Sequence, residues 1–141
     1  RIGVLGIGCR RGTTAEQLEA AFSAFCAAHT LAPQCIAAAA SIDLKQNEAG
    51  LLAFCAAHRW GLSFFSAEAL QTAPGSFTSS AFVRNVTGVD NVCERAAMKA
   101  ANEEGTFILR KQAENGMTIA IVKYDWKLER ELAKEYRIDE Q

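Results

Sequence analysis

Residues Gly6-Ile7-Gly8-Cys9-Arg10-Arg11-Gly12-Thr13 set three glycines and two arginines between an apolar run and the start of a helical pattern. At such a junction backbone N–H groups are exposed and the helix dipole favours negative charge. Guanidinium forks add bidentate recognition of carboxylate or phosphate. The chemistry expected of Gly6, Gly8, Cys9, Arg10, Arg11, Gly12 and Thr13 is therefore anion binding; the plainer alternative is a tight turn with two solvated arginines. The spacing is not that of a dinucleotide loop, in which the third glycine comes one residue earlier and an acid follows about 20 residues on. Nor does a Gly-Lys-Ser/Thr close it as in a nucleotide P-loop.

Three further clusters follow. Ser41, Asp43 and Lys45, with Glu48 close behind, put carboxylates beside an ammonium, a set that can position a ligand or act as acid and base. Asp43 and Glu48 are the candidate general bases, and an exposed ion pair at a helix start is the alternative. Ser66 and Glu68 read as a helix cap or as a second contact. Thr87-Gly88-Val89, running into Cys93 and Glu94, joins a glycine turn to a helix start, a second candidate anion cradle. There a dipole would lower a thiol pKa and make Cys93 a nucleophile, unless it is simply a small core residue. Cys26/His29 and Cys55/His58 lie three apart with no second local pair, so no metal is expected. No Ser-His-Asp or G-x-S-x-G arrangement can be assembled.

The elements that must carry these groups alternate. Ile2–Ile7 reads as a strand, and Thr13 or Thr14 caps a helix running to about His29, with Leu18, Ala21, Phe22 and Phe25 on one face. After Pro33, Cys35–Ser41 reads as a strand buried on both faces, and Glu48 to about Trp60 as a second helix. Leu62–Ser66 is a third strand. Ala67–Ser80 predicts one short helix and then a loop, and Phe82, Val83 and Val86 another short helix. Asp90 or Asn91 caps a helix ending near Gly105. Phe107–Leu109 and Met117–Val122 form a hairpin around Asn115-Gly116. The tail from Trp126 to Tyr136 reads as a charged helix. This order predicts a three-layer α/β/α sandwich with a mostly parallel sheet and an antiparallel edge hairpin, its function in the loops at the carboxyl ends of the strands. Ala24-Phe25-Cys26-Ala27-Ala28-His29 recurs as Ala53-Phe54-Cys55-Ala56-Ala57-His58, too short a match to establish duplication.

With 141 residues, one domain over 1–141 is expected, with 126–141 as its helical tail. A net charge of −1 lacks the basic excess of a nucleic-acid binder, so nucleic acid is not an expected partner and any anion site must be local. No apolar stretch reaches the roughly 18 residues of a membrane span. Five cysteines without a C-x-x-C favour free thiols and a cytoplasmic location. The first residue is Arg, which leaves room for upstream residues.

Taken in order, the segments Gly6–Thr13, Ser41–Lys45 with Glu48-Ala49-Gly50-Leu51, Ser66-Ala67, Thr87-Gly88-Val89 with Val92-Cys93-Glu94, then Lys111 and Gly116–Ala120, resemble the CobE/CbiG C-terminal domain family of cobalamin biosynthesis. The resemblance runs to about Val122. It implies a free-standing copy of CobE type, without the domains that precede this one in CbiG-type cobalt-precorrin-5A hydrolases, which open a lactone on the macrocycle and release acetaldehyde. It also implies a precorrin or corrin ligand, similar to hydrogenobyrinic acid: a flat apolar ring fringed by carboxylates, with no separate cofactor and with other enzymes of the pathway as possible partners. Such a ligand wants separated anion cradles around an apolar floor. Arg10, Arg11, Lys45, the Thr87-Gly88 turn and Lys111 are the expected cradles, and the Ala67–Ser80 loop the expected lid. In a hydrolase, Asp43 or Glu48 would be the base and Arg10 or Arg11 the oxyanion stabiliser. A purely structural partner of a biosynthetic enzyme is the remaining alternative.

Overall fold

The computed structural model describes residues 3–75, 77 and 91–123. Among the described residues five strands make one sheet: β1 (Gly3–Cys9), β2 (Ile36–Ile42), β3 (Gly61–Phe65), β4 (Thr106–Glu114) and β5 (Met117–Lys123). Their order is β3-β2-β1-β5-β4, with β1, β2 and β3 paired parallel and β5 antiparallel to both β1 and β4. Only β5 therefore runs against the rest, and the antiparallel hairpin lies at one edge.

Side-chain alternation assigns the two faces. Leu5 and Ile7 of β1 join Ile119 and Ile121 of β5 in a core with Leu18, Phe22, Leu51 and Phe54. These last four belong to helices α1 (Ala15–His29) and α2 (Ala49–Ala57), which cover that face. Burying each such side chain contributes about 2 kcal/mol. On the other face Val4 and Val122 pack on Ala97 and Ala101, while Ala40 and Ile42 meet Leu70, Val92 and Ala96. Here lie α3 (Ala67–Gln71) and α4 (Val92–Ala100). The result is the expected three-layer sandwich.

Local chemistry starts and stops the elements. Thr14 closes a capping box with Gln17 at the start of α1, whose buried Leu18, Ala21, Phe22, Phe25 and Cys26 follow helical spacing. Asn91, rather than Asp90, caps α4 by accepting the Glu94 N–H at 3.2 Å. Asn115 and Gly116 both have positive φ, 45° and 82°, the backbone of the tight hairpin expected there. The two Ala-Phe-Cys-Ala-Ala-His segments end α1 and α2, but their histidines differ: His29 is exposed, whereas His58 stacks on Trp60 at 4.3 Å beside Phe22 and Phe54.

Several boundaries differ from the sequence reading. β1 continues two residues past Ile7, and β2 starts at Ile36 because Pro33–Cys35 makes a single 3-10 turn. β4 runs on to Glu114 rather than ending at Leu109. Its later half, Arg110–Glu114, is polar apart from Ala113 and shows no alternation, since it is an edge strand with register shifts between Phe107 and Leu109 and between Leu109 and Gln112. The expected helix at Phe82–Val86, the tail from Trp126 and residues 76 and 78–80 of the expected lid lie outside the described residues, while the start of that lid is the helix Ala67–Gln71.

Candidate functional site

The carboxyl ends of β1, β2 and β3 and the Asn115-Gly116 turn of the hairpin share one edge of the sheet. Arg10 follows β1, and its N–H donates to the Gly116 carbonyl at 3.1 Å, tying the first loop to the hairpin. The aliphatic stem of Arg10 lies against Gly116. Asp43 and Lys45 form a 3-10 turn directly after β2, and Ser66 follows β3. From the other face α4 points its N-terminus to the same edge, which brings Cys93 and Glu94 near Lys111 of β4. Of the expected site residues, Thr87, Gly88 and Val89 lie outside the described residues.

Many of the remaining groups are used inside the fold. Gly6 and Gly8 are not loop residues but sit within β1, a correction to the anion-loop reading. A Cβ at Gly6 would stand 1.8 Å from the Cys93 carbonyl oxygen, and one at Gly8 would stand 2.4 Å from Thr118 Oγ1. These glycines let α4 and β5 approach, and an open cradle does not exist there. Ser41 is fully buried and its hydroxyl donates to the Ile7 carbonyl at 2.7 Å, bracing β2 on β1. Ser66 caps α3 by accepting the Ala69 N–H at 3.1 Å. The Thr13 hydroxyl donates to the Arg10 carbonyl at 2.6 Å and closes the first loop on itself. Gly12, at φ 79°, gives its N–H to Glu48 Oε2 at 3.0 Å, so an acid of this chain already faces the glycine loop.

Cys93 does not fit a nucleophile. It is 1% exposed, and burial, reinforced by the Glu94 charge, pushes its thiol up to about 12 against the opposing influence of Thr118 and Lys111. The loss of solvation outweighs the helix dipole. Cys9 is also pushed up, mainly by burial; Lys45 opposes this and Glu48 adds to it, which places both charges around Cys9.

Glu94 is 0% exposed and fully engaged. Its Oε2 accepts the Lys111 N–H at 2.7 Å, and its Oε1 faces Arg110 at 3.4 Å. The register shift between Leu109 and Gln112 explains the first contact, because a bulge turns a backbone N–H out of the strand ladder. Arg110 was not among the expected site residues. Nothing in the spacing of the sequence links it to Glu94, since the hairpin alone brings them together.

Arg10, Arg11, Asp43 and Lys45 make no ion pair or side-chain hydrogen bond among the described residues, and both arginines are exposed. Between Asp43 and Lys45, Leu44 is 62% exposed, more than Leu52 or Ile108, an apolar group flanked by charges. Two positive charges, a half-buried ammonium and an exposed leucine can hold a ligand that is apolar in its middle and anionic at its rim. A cleft of about 300 Å³ lined by Pro33, Gln34, Ile36, His58 and Trp60 lies at the opposite end of β2, away from all of these groups. Its imidazole is already bonded to Glu19 at 2.6 Å, so the carboxyl edge is the better candidate. Among the described residues no cluster of His, Cys, Asp and Glu is arranged to hold a metal, and no helix is long and apolar enough to cross a membrane.

Comparison with known proteins points the same way. A family profile described as "Cobalamin synthesis G C-terminus" matches residues 3–122. A cobalt-precorrin-5A hydrolase of Salmonella typhimurium is 34% identical over 118 residues, covering 84% of this chain and 33% of that protein. Another, of Priestia megaterium, is 27% identical over 126 residues, covering 89% of this chain and 33% of that one. The chain thus spans about a third of the length of these curated relatives. The crystal structure of CobE, a protein from the cobalamin biosynthetic pathway, superposes with a TM-score of 0.79 at 28% identity, over 88% of this chain and 91% of that one. A cobalamin biosynthesis protein of Agrobacterium tumefaciens shares the fold, with a TM-score of 0.68 at 23% identity over 88% of this chain and 99% of that one.

Proposed function

The chain belongs to the CbiG/CobE family of cobalamin biosynthesis proteins, and from that premise we propose that it binds a carboxylate-rich precorrin or corrin intermediate at the carboxyl edge of its sheet. The observation that carries this reading is the pair Arg10 and Arg11, exposed at that edge and without an acidic partner among the described residues. Their forks meet the peripheral acetate and propionate groups of the ring, Lys45 and Lys111 meet others, and Leu44 lies against its apolar face. Asp43 orients the ligand or a bound water. The Thr87-Gly88-Val89 turn belongs to the same proposal on sequence grounds. A single domain working in the cytoplasm on a diffusible intermediate, alongside other enzymes of the pathway, completes the reading.

Titration of the protein with hydrogenobyrinic acid, followed by visible absorbance, tests it. A saturable spectral shift is expected. In a variant with Arg10→Ala and Arg11→Ala the affinity should fall at least tenfold, and the salt dependence seen in the unaltered protein should flatten. No shift with this or any earlier ring intermediate overturns the binding reading and leaves a role as a structural partner.

The two relatives named cobalt-precorrin-5A hydrolase favour a second reading, in which the same edge opens a ring lactone. Asp43 would then take a proton from the attacking water while an arginine stabilises the oxyanion. Asp43→Asn separates the two: turnover is abolished if Asp43 is the base, whereas binding alone weakens only modestly.

A further inference from the structure

Glu48 stands at the cap position of α2, yet its side chain makes no capping bond to its own helix. It reaches across to the preceding βα unit instead, where Oε2 accepts the Gly12 N–H at 3.0 Å. Two residues on, the same two segments meet again at Gly50. A Cβ there would stand 2.0 Å from the Thr13 carbonyl oxygen, so the backbone of the first loop rests directly on the start of α2. Between these two contacts the loop is further closed by the bonds from the N–H and hydroxyl of Thr13 to the Arg10 carbonyl. Arg10 and Arg11 therefore project from a loop anchored at the hairpin by Gly116 and at α2 by Glu48 and Gly50.

We infer that Glu48 is a positioning residue: by accepting the Gly12 N–H it fixes the β1–α1 loop on α2, so that Arg10 and Arg11 meet ligand carboxylates in one prearranged geometry. This rests on the tetrapyrrole-binding reading and gives Glu48 a different task from that of general base. An anchored loop loses less conformational freedom on binding, which is how a residue outside the ligand contact raises affinity. The task needs an acceptor oxygen and not a negative charge. A glutamine keeps the oxygen and an alanine removes it.

The experiment pairs Glu48→Gln with Glu48→Ala and reads two quantities. The first is the amide hydrogen-exchange rate of Gly12, which needs no ligand; the second is the affinity for hydrogenobyrinic acid. Glu48→Ala should speed Gly12 exchange about tenfold and weaken binding about fivefold, while Glu48→Gln stays within about twofold of the unaltered protein in both. Equal loss of binding in the two variants overturns the inference, because the charge itself would then be required. Unchanged Gly12 exchange in Glu48→Ala overturns it independently. If the unaltered protein fails to bind the probe, the binding reading falls together with the purpose assigned to the clamp, but Gly12 exchange still decides whether the clamp exists.

Discussion

Gly6 and Cys93 meet backbone to backbone: the position a Cβ would take on Gly6 lies 1.8 Å from the Cys93 carbonyl oxygen and 3.0 Å from the Ala97 Cβ. A strand in the middle of the sheet thus sets how closely α4 lies on it. Neither partner is the free end of a flexible side chain, so Gly6→Ala must push the helix away. The expected cost is about 3 kcal/mol, seen as a lowered midpoint in thermal unfolding. A midpoint within a degree of the unaltered protein would mean that α4 does not pack here.

Glu94 carries a comparable structural weight through hydrogen bonding. Removing its buried carboxylate in Glu94→Ala leaves the half-buried Lys111 N–H without its acceptor, at an expected cost of about 2 kcal/mol by urea unfolding. Glu94→Gln keeps an acceptor and should cost about half as much. Faster amide exchange at Lys111 in the alanine variant locates the damage.

The thiols of Cys55 and Cys93 are pushed up to about 12 by burial, from an ordinary 9.0. Above pH 9 the unfolded chain releases these protons while the folded chain keeps them, so stability falls as pH rises from 9 towards 12. Each thiol contributes a slope of about 1.4 kcal/mol per pH unit. In Cys93→Ala the decline of unfolding free energy between pH 9 and 10.5 should be shallower by about that amount per unit. An identical slope would show that Cys93 titrates normally.

Cys9 reports on the charges of the candidate site. Burial raises its thiol pKa most, Lys45 draws it down and Glu48 pushes it further up. Alkylation by iodoacetamide at pH 8, followed by peptide mass spectrometry, should therefore slow about twofold in Lys45→Ala and quicken about twofold in Glu48→Gln. No change in either would place the two charges away from Cys9.

Most of the architecture is legible in the sequence because it rests on local signals. Thr14 with Gln17 marks the start of α1, Asn115-Gly116 marks the hairpin, and the spacing of Leu18, Phe22 and Phe25 marks the buried face. The site is less legible, because its residues are divided by contacts that the chain makes with itself across long separations. Ser41 reaches Ile7 and Glu48 reaches Gly12, 34 and 36 residues apart. Nothing in the residue types distinguishes a serine or glutamate spent in this way from one offered to a ligand. Gly6 and Gly8 mislead for the same reason, since a glycine placed for a helix crossing looks like one placed for an anion. The end of β4 is hidden because its register shifts interrupt the two-residue rhythm by which strands are recognised.

Those shifts have a further effect. An edge strand with a regular ladder is a template on which a strand of another molecule can grow. In β4 the ladder is interrupted twice between Phe107 and Gln112, and the Lys111 N–H is already turned inwards to Glu94. An incoming strand would lose its register before it could pair over any useful length, although Ile108 is 41% exposed beside it. The irregularity that lets Glu94 be buried thus also guards this side of the protein against polymerisation.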